Sequence, residues 1–438
     1  MNIKSQQAKN SFLFIFIYLC SLSLQPAFAT QSKKVITTDI WAATATVFKL
    51  VGEKAVNNVK LNWMQREDAD LYKIYRDGNC IGEAKGNTYD DYNLKADKTF
   101  TYHVEAFKEG KKIATSASQQ ATTFTPSGET KIYDNLNGKY ITKESIKKPQ
   151  GMKIGDLYFS YKMENVEKEI DGQTLKGWLA TESFSPTGLD GSWSASRELA
   201  FYPNVKFEGI AFRYNAKTGK VVLSAHYEDQ SGYVAAKIYL AQITPKGELE
   251  VGTMERPLGH ESRDQSLFID DDGTAYLLSA TNMNRDINIY KLDTSWTKPV
   301  LLVNTICKGL HRETPAIIKK DGEYYFFSSK ASGWYPSQTM YTSATDLGGE
   351  WTPMREIGNN STFDAQFNRI STVGKTCGVW SYHWGAQRKY KTPDGNFPRI
   401  SIAAFNKGYA SMDYYRYLEF SDKYGIIPVQ NGRNLTLN

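Results

Sequence analysis

The residues best suited to chemistry are acids that stand at matching places ahead of a recurrent glycine. Asp264 precedes Gly273 by nine residues, and Glu313 precedes Gly322 by the same nine. Glu208 lies eleven residues before Gly219, and Gln366 lies eight before Gly374, two residues after Asp364. Two carboxyl groups aimed into one space can divide acid and base roles, because like charges held close together do not both ionise readily. One then stays protonated and can donate to a leaving oxygen. Hydrolysis of a glycosidic bond needs that division of labour. The bland alternative for each acid is a surface or inter-strand salt bridge. Four polar residues at one tier of four successive units weigh against it, since a buried carboxylate without a partner is costly.

These residues must be held by a repeated β unit. A glycine turn followed by a short apolar strand ending in serine occurs five times, at Gly155 to Ser160, Gly219 to Ser224, Gly273 to Ser279, Gly322 to Ser328 and Gly374 to Ser381. The glycines are 64, 54, 49 and 52 residues apart, the length of a four-stranded propeller blade with its loops. Second strands follow at 236–241, 287–292 and 339–343, and Trp193, Trp296 and Trp351 come near the ends of three units. The pattern predicts a five-bladed β-propeller over 128–438, with each glycine opening a hairpin and the next strand well covered. No stretch reads as a long amphipathic helix.

Ahead of the repeats, residues 34–125 read as a sandwich of short alternating strands. Val59 to Trp63, Leu71 to Tyr75 and Thr101 to Ala106 are three of them, with turns at Arg76 to Asn79 and Lys108 to Lys111. The order Trp63, Tyr75, Tyr102, with the Tyr89-Asp90-Asp91 turn and the late Gly110, resembles a fibronectin type III domain. Pro126-Ser127-Gly128 marks the boundary. The fold class is therefore all-β, an immunoglobulin-like sandwich followed by a propeller.

The first 29 residues read as a cleavable secretory leader. Lys4 and Lys9 form a positive start, an apolar run extends from Ser11 to Leu24, and Ala27-Phe28-Ala29 ends it in a small-residue cleavage site. The run is too short to span a bilayer, and bulky Leu19 before Cys20 argues against lipoprotein processing. No later segment approaches a membrane span, so the mature chain is expected in the periplasm or outside the cell.

Removing the leader lowers the formal charge from +6 to +4, too small a surplus to suggest nucleic acid. Three cysteines remain, Cys80, Cys307 and Cys377, an odd number that excludes a fully paired disulfide scaffold and suggests buried small hydrophobes. The five histidines show no zinc-site spacing. With 28 Tyr, 21 Phe and 9 Trp, aromatic residues are plentiful enough for both β cores and sugar-stacking surfaces.

Glu208 with Tyr214-Asn215 and Thr218-Gly219-Lys220, then Ser262-Arg263-Asp264 with Phe268, then Arg312-Glu313-Thr314-Pro315-Ala316 with Gly322 form an ordered series. Gly333-Trp334 and Thr362-Phe363 with Gln366 complete it. Over residues 200–380 this series resembles glycoside hydrolase family 43, in particular its exo-β-1,3-galactanase branch. The resemblance implies that Glu313 is the general acid, that Asp264 orients it and raises its pKa, and that Glu208 binds the sugar of the first subsite. The family's ordinary base is an early aspartate that this branch lacks, and a glutamine at the place of Gln366 helps the attacking water.

Two departures bear on that reading. Lys148 to Met152 stands where the branch has a His-Gly-rich stretch, and Tyr335 and Ser337 alter the surroundings of Gly333-Trp334, which puts galactose specificity in doubt. Asp364 is an alternative base. Arg263, Arg312, Trp334 and Trp384 are candidate sugar contacts. The expected substrate is an oligo- or polysaccharide, cleaved with inversion by a monomeric enzyme. No cofactor or metal ligand set is implied, although some family members hold an ion such as calcium near the propeller axis, where His383 could contribute. A catalytically degenerate glycan-binding propeller and a protein-interaction scaffold are the rival readings.

Overall fold

Five turns of the chain require a left-handed backbone, and in each a glycine supplies it. Gly155, Gly219, Gly273, Gly322 and Gly374 all have positive φ, between 57° and 84°, a region that costs glycine little because it has no Cβ. Each of these turns joins the first and second strands of a four-stranded antiparallel sheet. The run after the glycine thus becomes an inner strand paired on both sides, and in the second, third and fourth sheets it is buried along nearly its whole length, which is why it is largely apolar there instead of alternating.

The computed structural model describes residues 43–50, 57–124, 132–140, 149–229, 232–333, 337–358, 365–383, 397–421 and 424–430. The expected leader, with Cys20, lies outside them. The first sheet comprises Met152–Ile154, Leu157–Ile170, Gln173–Ser185 and Arg197–Pro203. The second comprises Lys206–Asn215, Lys220–Glu228, Lys237–Ile243 and Leu249–Glu255, and the third Gln265–Ile269, Ala275–Thr281, Asp286–Leu292 and Pro299–Ile306. Arg312–Lys320, Glu323–Lys330, Met340–Ala344 and Arg355–Glu356 form the fourth, and Ala365–Val373, Thr376–His383, Phe397–Asn406 and Tyr409–Tyr414 the fifth.

Successive sheets bury their faces against one another. Met163 and Ala180 of the first meet Phe207 and Leu223 of the second, and Val222 and Leu240 of the second meet Leu277 and Tyr290 of the third. Leu278 and Ile289 pack with Ile317 and Phe326 of the fourth, and Phe327 and Tyr341 with Phe367 and Val379 of the fifth. Burying large apolar side chains at about 25 cal/mol per Å² makes each of these interfaces a principal source of stability.

The amino-terminal strands form two sheets around Val59, Leu61, Trp63, Tyr72, Ile74, Tyr102 and Val104. One holds Leu71–Arg76, Asn79–Ala84, Thr99–Lys108, Lys111–Thr115 and Gln119–Thr122. The other is a seven-stranded sheet in which Ala43–Leu50, Asn57–Trp63 and Thr88–Leu94 continue into Gly425–Gln430, Tyr417–Ser421, Ile132–Asp134 and Lys139–Tyr140. Lys49 pairs with Val429 in parallel register, and Asn62 donates to Asp413 at 2.6 Å. One sheet therefore runs across the expected boundary at 126–128. Cys80 departs from expectation: it is exposed, while Cys377 is buried. Its strand lies at an edge of the sheet, and Cys80 is the second residue after the Asp77-Gly78 turn, at the strand's exposed start.

Among the described residues the only helical segment is the short Pro257–Gly259 turn, and no helix is long and apolar enough to cross a membrane.

The glycines give a stability test. A Cβ on Gly219 would meet no atom within 4 Å, so Gly219→Ala should cost only backbone strain, about 1 kcal/mol. Gly425, also at positive φ, lies against the Gly374 turn, and its Cβ would fall 2.0 Å from the Val373 carbonyl oxygen. Gly425→Ala should therefore lower the denaturation midpoint several-fold more than Gly219→Ala.

Candidate active site

Three of the predicted residues stand near the start of a first strand, each immediately or one residue before a break in register. Glu208 faces His226 across the second sheet, after which pairing resumes at Ala211. Glu313 faces Ser329, and pairing resumes at Ala316. Gln366 faces Tyr382, with the shift between Phe367 and Arg369. Such bulges bend a strand and re-aim the side chains beside them. They turn three residues of remote sequence toward one cavity of about 880 Å³, which Asp264 and Arg263 also line.

The bulges have a conformational cost. Gly209 follows Glu208 at φ 60°, but Thr314 follows Glu313 at φ 52°, where a β-branched residue is strained. A strain of about 1–3 kcal/mol persists only where the surroundings enforce it. Here the Thr314 N–H donates to Asp264 Oδ2 at 3.0 Å, its hydroxyl donates to the Glu313 carbonyl at 2.7 Å, and it lies 2.7 Å from Ser329 Oγ. Asp264 thus fixes the peptide that carries Glu313.

The carboxyl groups are driven apart electrostatically. Burial pushes Glu313 up, the neighbouring Asp264 charge pushes it further, and together they raise it to about 8 against hydrogen bonds from Ser332 and Gln366. The Gln366 amide donates to Glu313 Oε1 at 2.5 Å. Burial also raises Asp264, opposed first by the Thr314 N–H. Two such neighbours hold one proton between them near neutrality. Glu208 behaves oppositely. Burial works to raise it, but the adjoining His226, Tyr233 and Lys206 outweigh that and lower it to about 2. Its Oε1 accepts the Tyr233 hydroxyl at 2.7 Å and lies 2.9 Å from Lys206 Nζ.

Of the other predicted contacts, Arg263 reaches the cavity edge, donating to the Tyr233 carbonyl at 3.1 Å and lying 3.4 Å from Glu261, not clamped onto Asp264. Arg312 does not line the cavity. Its guanidinium is buried and donates to Ser328 Oγ at 3.0 Å and to the Ser328 carbonyl at 2.5 Å. Neighbouring residues on a strand point to opposite faces, so Glu313 facing the cavity sends Arg312 into the sheet. Asp364, Trp334 and Trp384 lie outside the described residues, as does the side chain of His383. Among the described residues no group of three or more His, Cys, Asp or Glu is placed to hold a metal ion. Sequence reasoning missed Lys206, His226 and Tyr233, which surround Glu208.

Residues 227–375 match the family described as Glycosyl hydrolases family 43. Over that segment, about a third of the chain, the sequence is similar to family 43. The matched segment contains Asp264, Glu313 and Gln366; Glu208 and His226 lie ahead of it. An exo-β-1,3-galactanase from Clostridium thermocellum is similar in structure, with a TM-score of 0.52 and 23% identity over 69% of each chain. An exo-β-1,3-galactanase from Phanerochaete chrysosporium, solved with β-1,3-galactotriose, has a TM-score of 0.50 and 22% identity over 69% of this chain and 70% of its own. At that identity the likeness is one of fold. No curated protein matches the chain.

Proposed function

We propose that this protein is a secreted, inverting, exo-acting glycoside hydrolase that releases galactose from β-1,3-galactan-like chains, with Glu313 as its general acid. One observation carries the reading: acids from three different sheet units converge with Gln366 on one cavity, and their surroundings drive Glu313 toward the protonated form and Glu208 toward the ionised form. Environments that separate the pKa values of neighbouring acids are how a single site performs acid and base chemistry at one pH. The preference for galactan is supported by the motif series from Glu208 to Gln366 and by the galactanase-like fold. In this reading the five sheets close into a propeller around the cavity, the amino-terminal sheets form a fibronectin type III-like body, and the leader is removed near Ala29.

Chemically, ionised Glu208 accepts hydroxyl groups of the terminal sugar. Protonated Glu313 gives its proton to the glycosidic oxygen, and its orientation is kept by Asp264 through the Thr314 peptide. Water attacks the anomeric carbon from the opposite face and releases its proton to solvent, from which Glu313 is reprotonated; this requires roughly 6.5–9.5 Å between the acid and the group that orients the water. Gln366 meets that requirement only by turning its amide from Glu313 to the water as the glycosidic oxygen takes its place on the acid.

That same contact supports a second reading, a site that binds glycans without cleaving them. Incubation with β-1,3-galactobiose, followed by proton NMR, separates the two. The α-anomer of galactose should appear first and then mutarotate. Initial β-galactose overturns inversion, binding without release supports the second reading, and neither binding nor release removes this substrate class.

A further inference from the structure

Behind Glu208 stands a pair that the proposed chemistry does not use. His226 and Glu228 lie two residues apart on the Lys220–Glu228 strand, so they share a face, and each is 98% buried. His226 Nε2 is 2.7 Å from Glu228 Oε1. Glu228 is itself fixed, since the Ala236 N–H donates to both its oxygens at 3.1 Å. The other ring nitrogen, Nδ1, is buried, has no hydrogen-bond partner within reach, and points to Glu208 Oε2 at 3.6 Å.

A neutral imidazole has one donor and one acceptor nitrogen, whereas an ionised carboxylate only accepts. With a carboxylate facing each nitrogen, a neutral ring would set a lone pair against an anion on one side, in surroundings where an unmatched polar atom costs most. The other groups around this ring are consistent with a positive charge. Lys206 and Tyr233 engage Glu208 through Oε1, which leaves Oε2 to the imidazole, and the Tyr233 ring lies 5.9 Å from it. Arg263, the remaining cation nearby, is committed to Glu261 and the Tyr233 carbonyl.

We propose that His226 is a positioning residue for Glu208, carrying a proton on each ring nitrogen and directing one to Glu208 and the other to Glu228. Tyr233 and Lys206 act on Oε1, and His226 acts on Oε2. Two oxygens restrained from two sides set the plane of the carboxylate, and that plane decides which lone pairs face the cavity. Tyr233 is 42% exposed, so the buried histidine is the rigid side of this clamp. Its role in substrate recognition rests on the reading that Glu208 contacts the terminal sugar.

Two measurements test this on the full chain. Nitrogen–proton correlation NMR, with the His226 signal assigned by its loss in His226→Asn, should show both ring nitrogens protonated in the wild type. A bare ring nitrogen there overturns the proposal without reference to any substrate. Kinetics on β-1,3-galactobiose then compare two replacements. His226→Asn keeps a donor near the place of Nδ1, and His226→Gln keeps one near the place of Nε2. His226→Gln should raise KM about tenfold with kcat within about twofold, and His226→Asn should recover most of that loss. Equal damage by both, or damage confined to kcat, overturns positioning. An unchanged KM in Glu208→Gln would overturn the sugar contact of Glu208 while leaving the two-proton signature intact, so the two ideas fail separately.

Discussion

Glu313→Gln should abolish turnover of β-1,3-galactobiose while leaving its affinity within a few-fold. Gln has the size of the protonated acid and can meet the same partners, but it has no proton to give. Loss of a general acid lowers the rate by about 10²–10⁴. An aryl galactoside, whose leaving group departs without protonation, should be affected much less, and that contrast distinguishes a lost acid from a distorted pocket. Equal losses on both substrates would remove Glu313 from the role. The same substitution has a thermodynamic consequence of definite sign. The fold raises Glu313 from the ordinary carboxyl value to about 8, so the folded chain binds this proton more tightly than the unfolded one. The associated stability is fully present below the unfolded pKa and is lost as pH rises toward 8. Gln cannot ionise and escapes that loss. Thermal unfolding at about pH 9 should place the variant above the wild type, with the difference vanishing in acid.

The register of Asp264 and Glu313 was readable because a repeat sets a coordinate. Once Gly273 and Gly322 are seen as the same turn, residues nine positions upstream fall at the same height, and Glu208 and Gln366 fall close to it. The small differences in offset have a physical source, since bulges follow Glu208 and Glu313 whereas Asp264 stands just ahead of its strand. Arg312 could have been excluded on the same reasoning, because strand neighbours face opposite ways. His226 and Glu228 also left a trace: in the run Ser224 to Glu228, a histidine and an acid alternate within an otherwise apolar inner strand. Lys206 left one as well, since it stands two residues before Glu208 on the same strand and so shares its face; Tyr233 left none, because a loop conformation brings it to Glu208. Equally hidden was the pairing of Lys49 with Val429, some 380 residues apart in the chain. Hydrophobic pattern marks a strand but does not name its partner, and two edge strands of ordinary composition can be joined by tertiary packing alone.

Asp264→Asn carries the second large effect, and it isolates charge from shape. Asn keeps an acceptor for the Thr314 N–H that Asp264 now receives at 3.0 Å, so the strained peptide beside Glu313 stays anchored. What disappears is the negative charge that, after burial, is the main cause of the raised Glu313 pKa. Burial remains, so Glu313 should come down only part of the way. The alkaline limb of kcat/KM, which reports loss of the proton from this acid, should move to lower pH by on the order of one pH unit. Above about pH 8 that displacement lowers activity about tenfold, while the plateau at lower pH stays closer to wild type. Asp264→Ala gives the complementary result. It removes charge and anchor together, so Thr314 can relax from φ 52° and Glu313 loses its aim, lowering kcat at every pH as well as displacing the limb. If Asp264→Asn leaves the alkaline limb in place, Asp264 is only an anchor for the Thr314 peptide, and the elevation of Glu313 comes from burial alone.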